Sequence, residues 1–455
     1  MIPILLFAVR RLKADFVGGI AICIGLLISM PDYMRVSFGG GIPELTIQRA
    51  LLLVMIAFWI PERSRNQLRL PIPFKGALMA LAAAQLVSFL LSITFKASMK
   101  SFFVFLLETV LMYVIVCFTL QSRESVIRVL RAIGLGLGVV AVIACIERFR
   151  EINLPREFLL GEGRGLTDVL STYPHRILLG YAMAMGVPVL MALQERETKG
   201  SRKRLLTVLV LLVTVCCYFA NSRGPWSGLI LAALMLLVMG SKQMRKSFVV
   251  IAMLSVVVIA IRPGVRETLV SAIESTFTSD EDALKKKSYD YRWTLWRVAM
   301  GEIKKSPERL LFGYGGLSTE SMDLVDYFER ESGGSTALLG YTSWDNQMAC
   351  DLIEFGFLGF SLELILVALV IIKLARLWRG SAGVDRSIMA AFLAAAVVYV
   401  YATSNVYLFS PQLKCLFWAL VACGVRYGEL APARIEHSSS NAPGGEPGET
   451  QPNFI

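Results

Sequence analysis

Asp345 and Asn346 stand at the end of a long polar segment, just before an apolar run that begins near residue 352. A carboxylate at such a junction can cap the helix that follows. It can also take a proton from a hydroxyl held beside it. Glu354 lies at the start of the run, while Glu363 and Glu108 lie well inside apolar runs. An ionisable group in such a layer is costly and marks a functional site by default; the plainer reading of Glu363 is a partner to a nearby polar group. Arg223 occurs in Asn221-Ser222-Arg223-Gly224-Pro225, between two apolar runs. Turn chemistry explains Gly224 and Pro225 but not Arg223. An arginine at the edge of an apolar layer can snorkel to water. Its planar, permanently charged fork can also grip a phosphate or diphosphate.

Two further groups of cations merit the same comparison. Tyr289 to Arg297 carries Arg292 and Arg297 with two tryptophans, in a stretch whose apolar residues fall at helical spacing. A helix lying on a membrane surface accounts for the tryptophans, and an inward-facing Arg292 could bind an anionic headgroup. Pro307 and Leu311-Phe312-Gly313-Tyr314-Gly315-Gly316 then read as a helix stop and a glycine turn able to approach a ligand closely. Gly161-Glu162-Gly163-Arg164-Gly165 precedes Thr172-Tyr173-Pro174-His175-Arg176. The segment reads first as a flexible surface loop, but Arg164 and Arg176 could add positive charge to an anion-binding cavity.

The elements that must position these residues follow from composition. Of 455 residues, 55% are hydrophobic, and the formal charge is +11. Mean hydropathy is +0.60. Soluble domains are about 45–50% apolar, and the excess here comes in runs of bilayer-spanning length. The expectation is an all-α polytopic membrane protein of about twelve helices: 14–30, 45–60, 76–95, 99–120, 126–146, 175–193, 204–220, 225–240, 247–262, 352–373, 387–403 and 411–427. Cations gather in alternate connections, among them Arg10/Arg11/Lys13, Arg63/Arg65/Arg69/Lys75 and Arg196 to Arg204, whereas the intervening short connections are poor in them. By the positive-inside rule both termini are cytoplasmic and the N-terminal run is an uncleaved anchor. The long segments 147–174 and 262–346 then lie outside, the second partly helical, including Tyr327 to Arg330. The transmembrane domain covers 1–430, and the Ser/Pro/Gly/Glu-rich tail 431–455 is expected to be disordered.

The basic balance is accounted for by loop charge and does not call for nucleic acid. The eight cysteines show no CxxC spacing, and the two histidines, His175 and His437, exclude a His-rich metal site. No metal and no cofactor are expected.

In this order, the pieces resemble the O-antigen ligase/polymerase superfamily of bacterial membrane glycosyltransferases. Asn221 to Trp226 is similar to the family's Ser-Arg-Gly turn. Arg292 to Gly316 is similar to its Arg…Leu-Trp…Pro…Gly-x-Gly segment. Asp345-Asn346 to Gly359 is similar to its His/Asp-Asn…Glu-x-Gly-hydrophobic-hydrophobic-Gly motif. The resemblance covers mainly residues 160–373. It implies a GT-C-like fold at the outer face of the inner membrane, a polyprenyl-diphosphate-linked glycan donor, and a glycan or lipid acceptor, with envelope polysaccharide-assembly proteins as possible partners. It also implies catalysis without nucleotide sugar or metal. Carried over, Arg223 and Arg292 bind the diphosphate and Asp345 is the base. Arg164, Arg176, Arg297, Asn346 and Glu354 are the remaining substrate-binding candidates. Ligase-type motifs often have histidine where this chain has Asp345, which tilts the expectation toward a polysaccharide polymerase. A ligase acting on lipid A-core and a lipid-glycan flippase or transporter are the alternatives, with an assembly scaffold a third.

Overall fold

The computed structural model describes residues 1–37, 44–65, 70–166, 168–246, 249, 283–322, 324 and 344–430, with the backbone alone of 283–292. The expected span 247–262, Tyr327 to Arg330 and the 431–455 tail lie outside the described residues.

The described chain is mainly helical, with non-helical stretches at 161–166 and 168–175 and one short antiparallel pairing of β1 (Arg35–Val36) with β2 (Leu45–Thr46). Helices occupy the other eleven expected positions. They are α2 (Phe16–Ser29), α3 (Ile47–Arg65), α4 (Lys75–Leu90), α5 (Phe95–Phe105) continuing into α6 (Met112–Thr119), α7 (Arg123–Arg150), α9 (Arg176–Arg196), α10 (Gly200–Phe219), α11 (Arg223–Met239), α14 (Gln347–Gly380), α15 (Gly383–Thr403) and α16 (Pro411–Glu429). Five are long and apolar enough to cross a membrane: 95–119, α7, α9, α14 and α15. The remainder are shorter or carry charge at their ends. Smaller helices are α1 (Ile2–Ala14), α8 (Leu154–Leu160), α12 (Ala283–Ile303) and α13 (Pro307–Phe312).

The helices are tied together at both ends. At one end Arg128 pairs with Asp15 at 2.8 Å, Arg123 with Asp385 at 2.8 Å, and Arg131 with Glu197 at 3.0 Å. These pairs join the starts of α2, α7 and α15 to the end of α9. A reciprocal Ser122–Ser125 capping box starts α7 at the same end. At the opposite end, Gln412 donates through Nε2 to the Met30 and Thr172 carbonyls, at 2.8 Å each. The start of α16 therefore sits beside the end of α2 and the approach to α9.

α9 is the central helix, buried continuously from Leu178 to Leu193. It packs against α7, α10, α11 and α15. Its small residues allow this close approach, the usual device where lipid removes any hydrophobic preference between helices.

The segment 147–174 differs from a flexible surface loop. Glu147 accepts from the Leu170 and Ser171 amides at 3.1 and 2.6 Å. Asn153 donates to the Ser171 carbonyl at 2.8 Å and caps α8. A buried carboxylate with backbone donors ties the two ends of the segment together.

Candidate functional site

α14 begins at Gln347, earlier than the apolar run suggested, because Asn346 caps it: its Oδ1 accepts from the Ala349 amide at 3.2 Å. The helix then breaks at Gly356, where φ is 62° and ψ −171°. The break frees the carbonyls of Ile353 and Glu354. Tyr314 and Gly315 donate their amides to these oxygens, each at 2.9 Å, and Ser88 donates its hydroxyl to the Glu354 carbonyl at 2.7 Å. The glycine turn is therefore the partner of the kink. A Cβ on Gly313 would lie 2.5 Å from the Ile353 and Glu354 carbonyl oxygens, and one on Gly356 would lie 2.5 Å from the Leu311 carbonyl carbon. The expectation that these glycines approach a ligand is thus corrected for Gly313: it approaches the backbone of α14. Gly315 and Gly316 face the Ser92/Ser98 and Ser101 side chains.

Beneath the glycine turn, α12 lays Leu295, Val298, Ala299 and Ile303 against Ala349, Leu352 and Ile353 of α14. Trp344 donates its indole N–H to the Thr319 carbonyl at 3.1 Å. The Thr319 hydroxyl in turn donates to the Glu354 carboxylate. This orients a carboxylate that is only 3% exposed.

The starts of α9, α11, α14 and α16 share the end opposite the Arg123–Asp385 pair. Gly180, one turn into α9, packs on Pro225 in the first turn of α11, and Gly224 leaves only enough space for the Tyr181 hydroxyl. Gln347 joins α14 to the segment before α16, donating its amide to the Val406 carbonyl at 3.2 Å and accepting from the Leu408 amide at 2.7 Å. Helix starts carry partial positive charge, which favours an anion beside the starts of α9 and α11. Arg223 is the first residue of α11, and its side chain is exposed. Arg176, the first residue of α9, pairs with Asp168 at 2.7 Å. Asp345 is half-buried, and its charge is felt at His175. Burial, and secondarily the Arg176 charge, hold the His175 imidazole below its usual pKa, while Asp345 and Asp168 oppose them. The His175 Nδ1 accepts from the Ile177 amide at 3.3 Å, as the neutral ring can.

Other sequence candidates stand elsewhere. Arg164 pairs with Glu157 at 3.1 Å with its side chain 76% exposed. Arg297 is exposed and donates to the Thr294 hydroxyl at 3.1 Å. Asn346 is 2% exposed and used as a cap. Arg292 lies in α12, its side chain outside the described residues.

A cavity of about 400 Å³ opens between α4, the 95–119 helix, α14 and α16. Glu354 lines it, as do Glu108 and Glu363, the other two acids noted within apolar runs. Asp351, hydrogen-bonded by the Gln347 amide at 2.8 Å, also lines it and was missed. Arg49, at 3.1 Å from Glu108, was missed as well. Glu108 sits in a π-helical turn, Leu106–Leu111, where such an insertion often marks a functional position. Asp345 and Arg223 are not among the cavity-lining residues.

No curated protein matches the chain. A family model described as Wzy_C, O-antigen ligase, matches residues 208–364, from within α10 across α12 and the glycine turn to beyond the α14 kink. Over residues 208–364 the chain is thus similar to the O-antigen ligase family.

Proposed function

We propose that this multi-pass membrane protein polymerises lipid-linked oligosaccharide repeat units into a surface polysaccharide, by glycosyl transfer from polyprenyl diphosphate at the outer face of the inner membrane. The observation that carries this reading is the gathering of the α9, α11, α14 and α16 starts at one end of the molecule, with Arg176, Arg223 and Asp345 among them and a polar cavity alongside.

In the proposed reaction the diphosphate rests against Arg223, with Arg292 contributing from α12. An acceptor hydroxyl attacks the anomeric carbon of the donor sugar. The new glycosidic bond forms as the sugar–phosphate bond breaks, and polyprenyl diphosphate leaves with the bonding pair. Asp345 takes the hydroxyl proton. The arginines stabilise the charge that grows on the leaving diphosphate, where a preorganised donor contributes most. Asp345 is a weak base in water, so its task is orientation as much as proton removal.

The second reading, transfer of a finished glycan to lipid A-core, is supported by the matched family's ligase description. Histidine at position 345 would have favoured it further. The two readings share the donor chemistry and differ in acceptor, whereas a flippase would move the donor without consuming it.

The test is release of polyprenyl diphosphate from a lipid-linked repeat unit in proteoliposomes. Arg223→Lys keeps charge but loses the bidentate fork, and is expected to retain part of the rate. Arg223→Ala is expected to lose about 100-fold or more, the scale seen when an oxyanion donor is removed. Undiminished turnover in Arg223→Ala would remove Arg223 from the mechanism.

A further inference from the structure

The 400 Å³ cavity has the wrong charge for a diphosphate. Among the described residues, seven acidic and four basic side chains line it, an excess of three acids. Two of the bases are already matched: Arg35 pairs with Glu44 at 2.7 Å, and Arg49 with Glu108 at 3.1 Å. Lys414 lies within electrostatic reach of Asp351, Glu354 and Glu363 together. The cavity therefore presents hydrogen-bond acceptors. A carboxylate offers about four lone-pair positions. Asp351 is engaged by Gln347 and by the Glu363 carboxyl, and Glu354 by the Thr319 hydroxyl and the Leu317 amide.

An independent observation points the same way. Gln85, on α4 and 5% exposed, lines the cavity, and its Oε1 has no hydrogen-bond partner. A buried amide oxygen left without a donor is costly, so the site is built for something that brings one. Among the described residues the acids are not grouped as a metal site. Part of the remaining wall is aromatic, beside aliphatic Leu81, Val104 and Leu366: Tyr399 stacks on Phe417 at 3.7 Å between ring centroids, and Phe417 meets Trp418 edge-on. Acceptors set among aromatic faces suit one ligand chemistry, a sugar ring with outward O–H donors and apolar C–H faces. The volume falls in the range of small-ligand sites, roughly 300–1,000 Å³.

We propose that this cavity is the acceptor-sugar subsite, holding an uncharged, hydroxyl-rich sugar through Gln85, Asp351 and Glu354 and excluding sugars that carry a carboxylate or phosphate. The proposal rests on the glycosyl-transfer reading, whose donor lies at the arginine-bearing helix starts. The two sites divide the chemistry: cations for the diphosphate, acceptors for the hydroxyls.

The test uses full-length protein in nanodiscs and saturation-transfer NMR, with methyl glycosides of neutral hexoses, N-acetylhexosamines and hexuronates as probes. At least one neutral glycoside is expected to bind about tenfold or more tighter than the hexuronates. Gln85→Leu is expected to weaken it about tenfold, while Gln85→Glu, which keeps an acceptor, retains it. Asp351→Asn, nearly isosteric, is expected to weaken it as well and carries the test if Gln85→Leu does not fold. Polyprenyl diphosphate binding is measured on the same samples and is expected to be unchanged in Gln85→Leu. Hexuronates binding as tightly as neutral sugars, no neutral glycoside binding at all, or equal binding in wild type, Gln85→Leu and Asp351→Asn would each overturn the proposal. Wild-type protein that binds neutral sugar but not polyprenyl diphosphate would instead overturn the donor reading.

Discussion

Replacing Gly356 by alanine adds one methyl group and is expected to unlock α14 from the glycine turn. The position has φ 62° and ψ −171°, a region open in practice only to glycine, and holding another residue there costs about 1–3 kcal/mol. The new Cβ would also stand 2.5 Å from the Leu311 carbonyl carbon and 2.6 Å from the Gly313 amide nitrogen. Both are backbone atoms, so no side chain can swing aside. Overpacking of this kind costs about 1–3 kcal/mol more. The sum, roughly 2–6 kcal/mol, is a large share of a typical folding free energy of about 5–15 kcal/mol. Relief by movement of the 313–316 turn would break the Tyr314 and Gly315 hydrogen bonds to α14 instead. The assay is the melting temperature of detergent-solubilised protein by size-exclusion after heating, expected to fall by at least about 5 °C. Gly301→Ala is the control: it lies within α12 with nothing within 4 Å of its Cβ position, so it is expected to be neutral or stabilising by about 0.5–1 kcal/mol. A Gly356→Ala protein that melts with the wild type would refute the interlock.

Arg49→Ala leaves Glu108, 1% exposed, without its ion-pair partner and is expected to cost about 3–5 kcal/mol. The double change Arg49→Met with Glu108→Leu is expected to recover much of that loss in the same melting assay. Asp32, in the segment after α2, has its carboxyl raised by burial to about 6. An acid whose pKa is higher folded than unfolded favours folding below the unfolded value. That contribution is lost as pH rises from about 4 through 6, and the loss is about 3 kcal/mol at most. Asp32→Asn is therefore expected to flatten stability against pH across that window, measured by melting at pH 4 to 7. Gly224→Ala puts a Cβ 2.6 Å from the Tyr181 hydroxyl, and it is expected to be tolerated once Tyr181→Phe removes that oxygen, as read from the folded yield.

The helices were legible because apolar runs of bilayer length are written in composition, and eleven of the twelve expected runs coincide with described helices. The kink in α14 was not legible. Residues 352–373 read as one apolar run, and a positive φ at Gly356 leaves no mark on hydropathy. Its cause lies some forty residues earlier in the glycine turn, a long-range contact that neither segment announces by itself. The pinned 147–174 segment hid for a similar reason: Glu147 reads as a helix-end acid until Leu170 and Ser171 fold back on it. Glu108, Glu354 and Glu363 stood out because acids within apolar runs are rare. Asp351 and Gln85 did not, since each is a single polar residue whose significance comes from neighbours on other helices. Arg49 was hidden in the same way, near a helix start where a cation excites no suspicion.

The most direct measurement of the account's central claim is made in cells lacking the gene and in cells restored with wild type or Arg223→Ala. Surface glycan and lipid-linked intermediates are resolved by gel and mass spectrometry. The account predicts single repeat units on polyprenyl diphosphate in the deletion and in Arg223→Ala, and long surface chains after restoration with wild type. Long chains stranded on the carrier, or a surface glycan unchanged by the deletion, would contradict it.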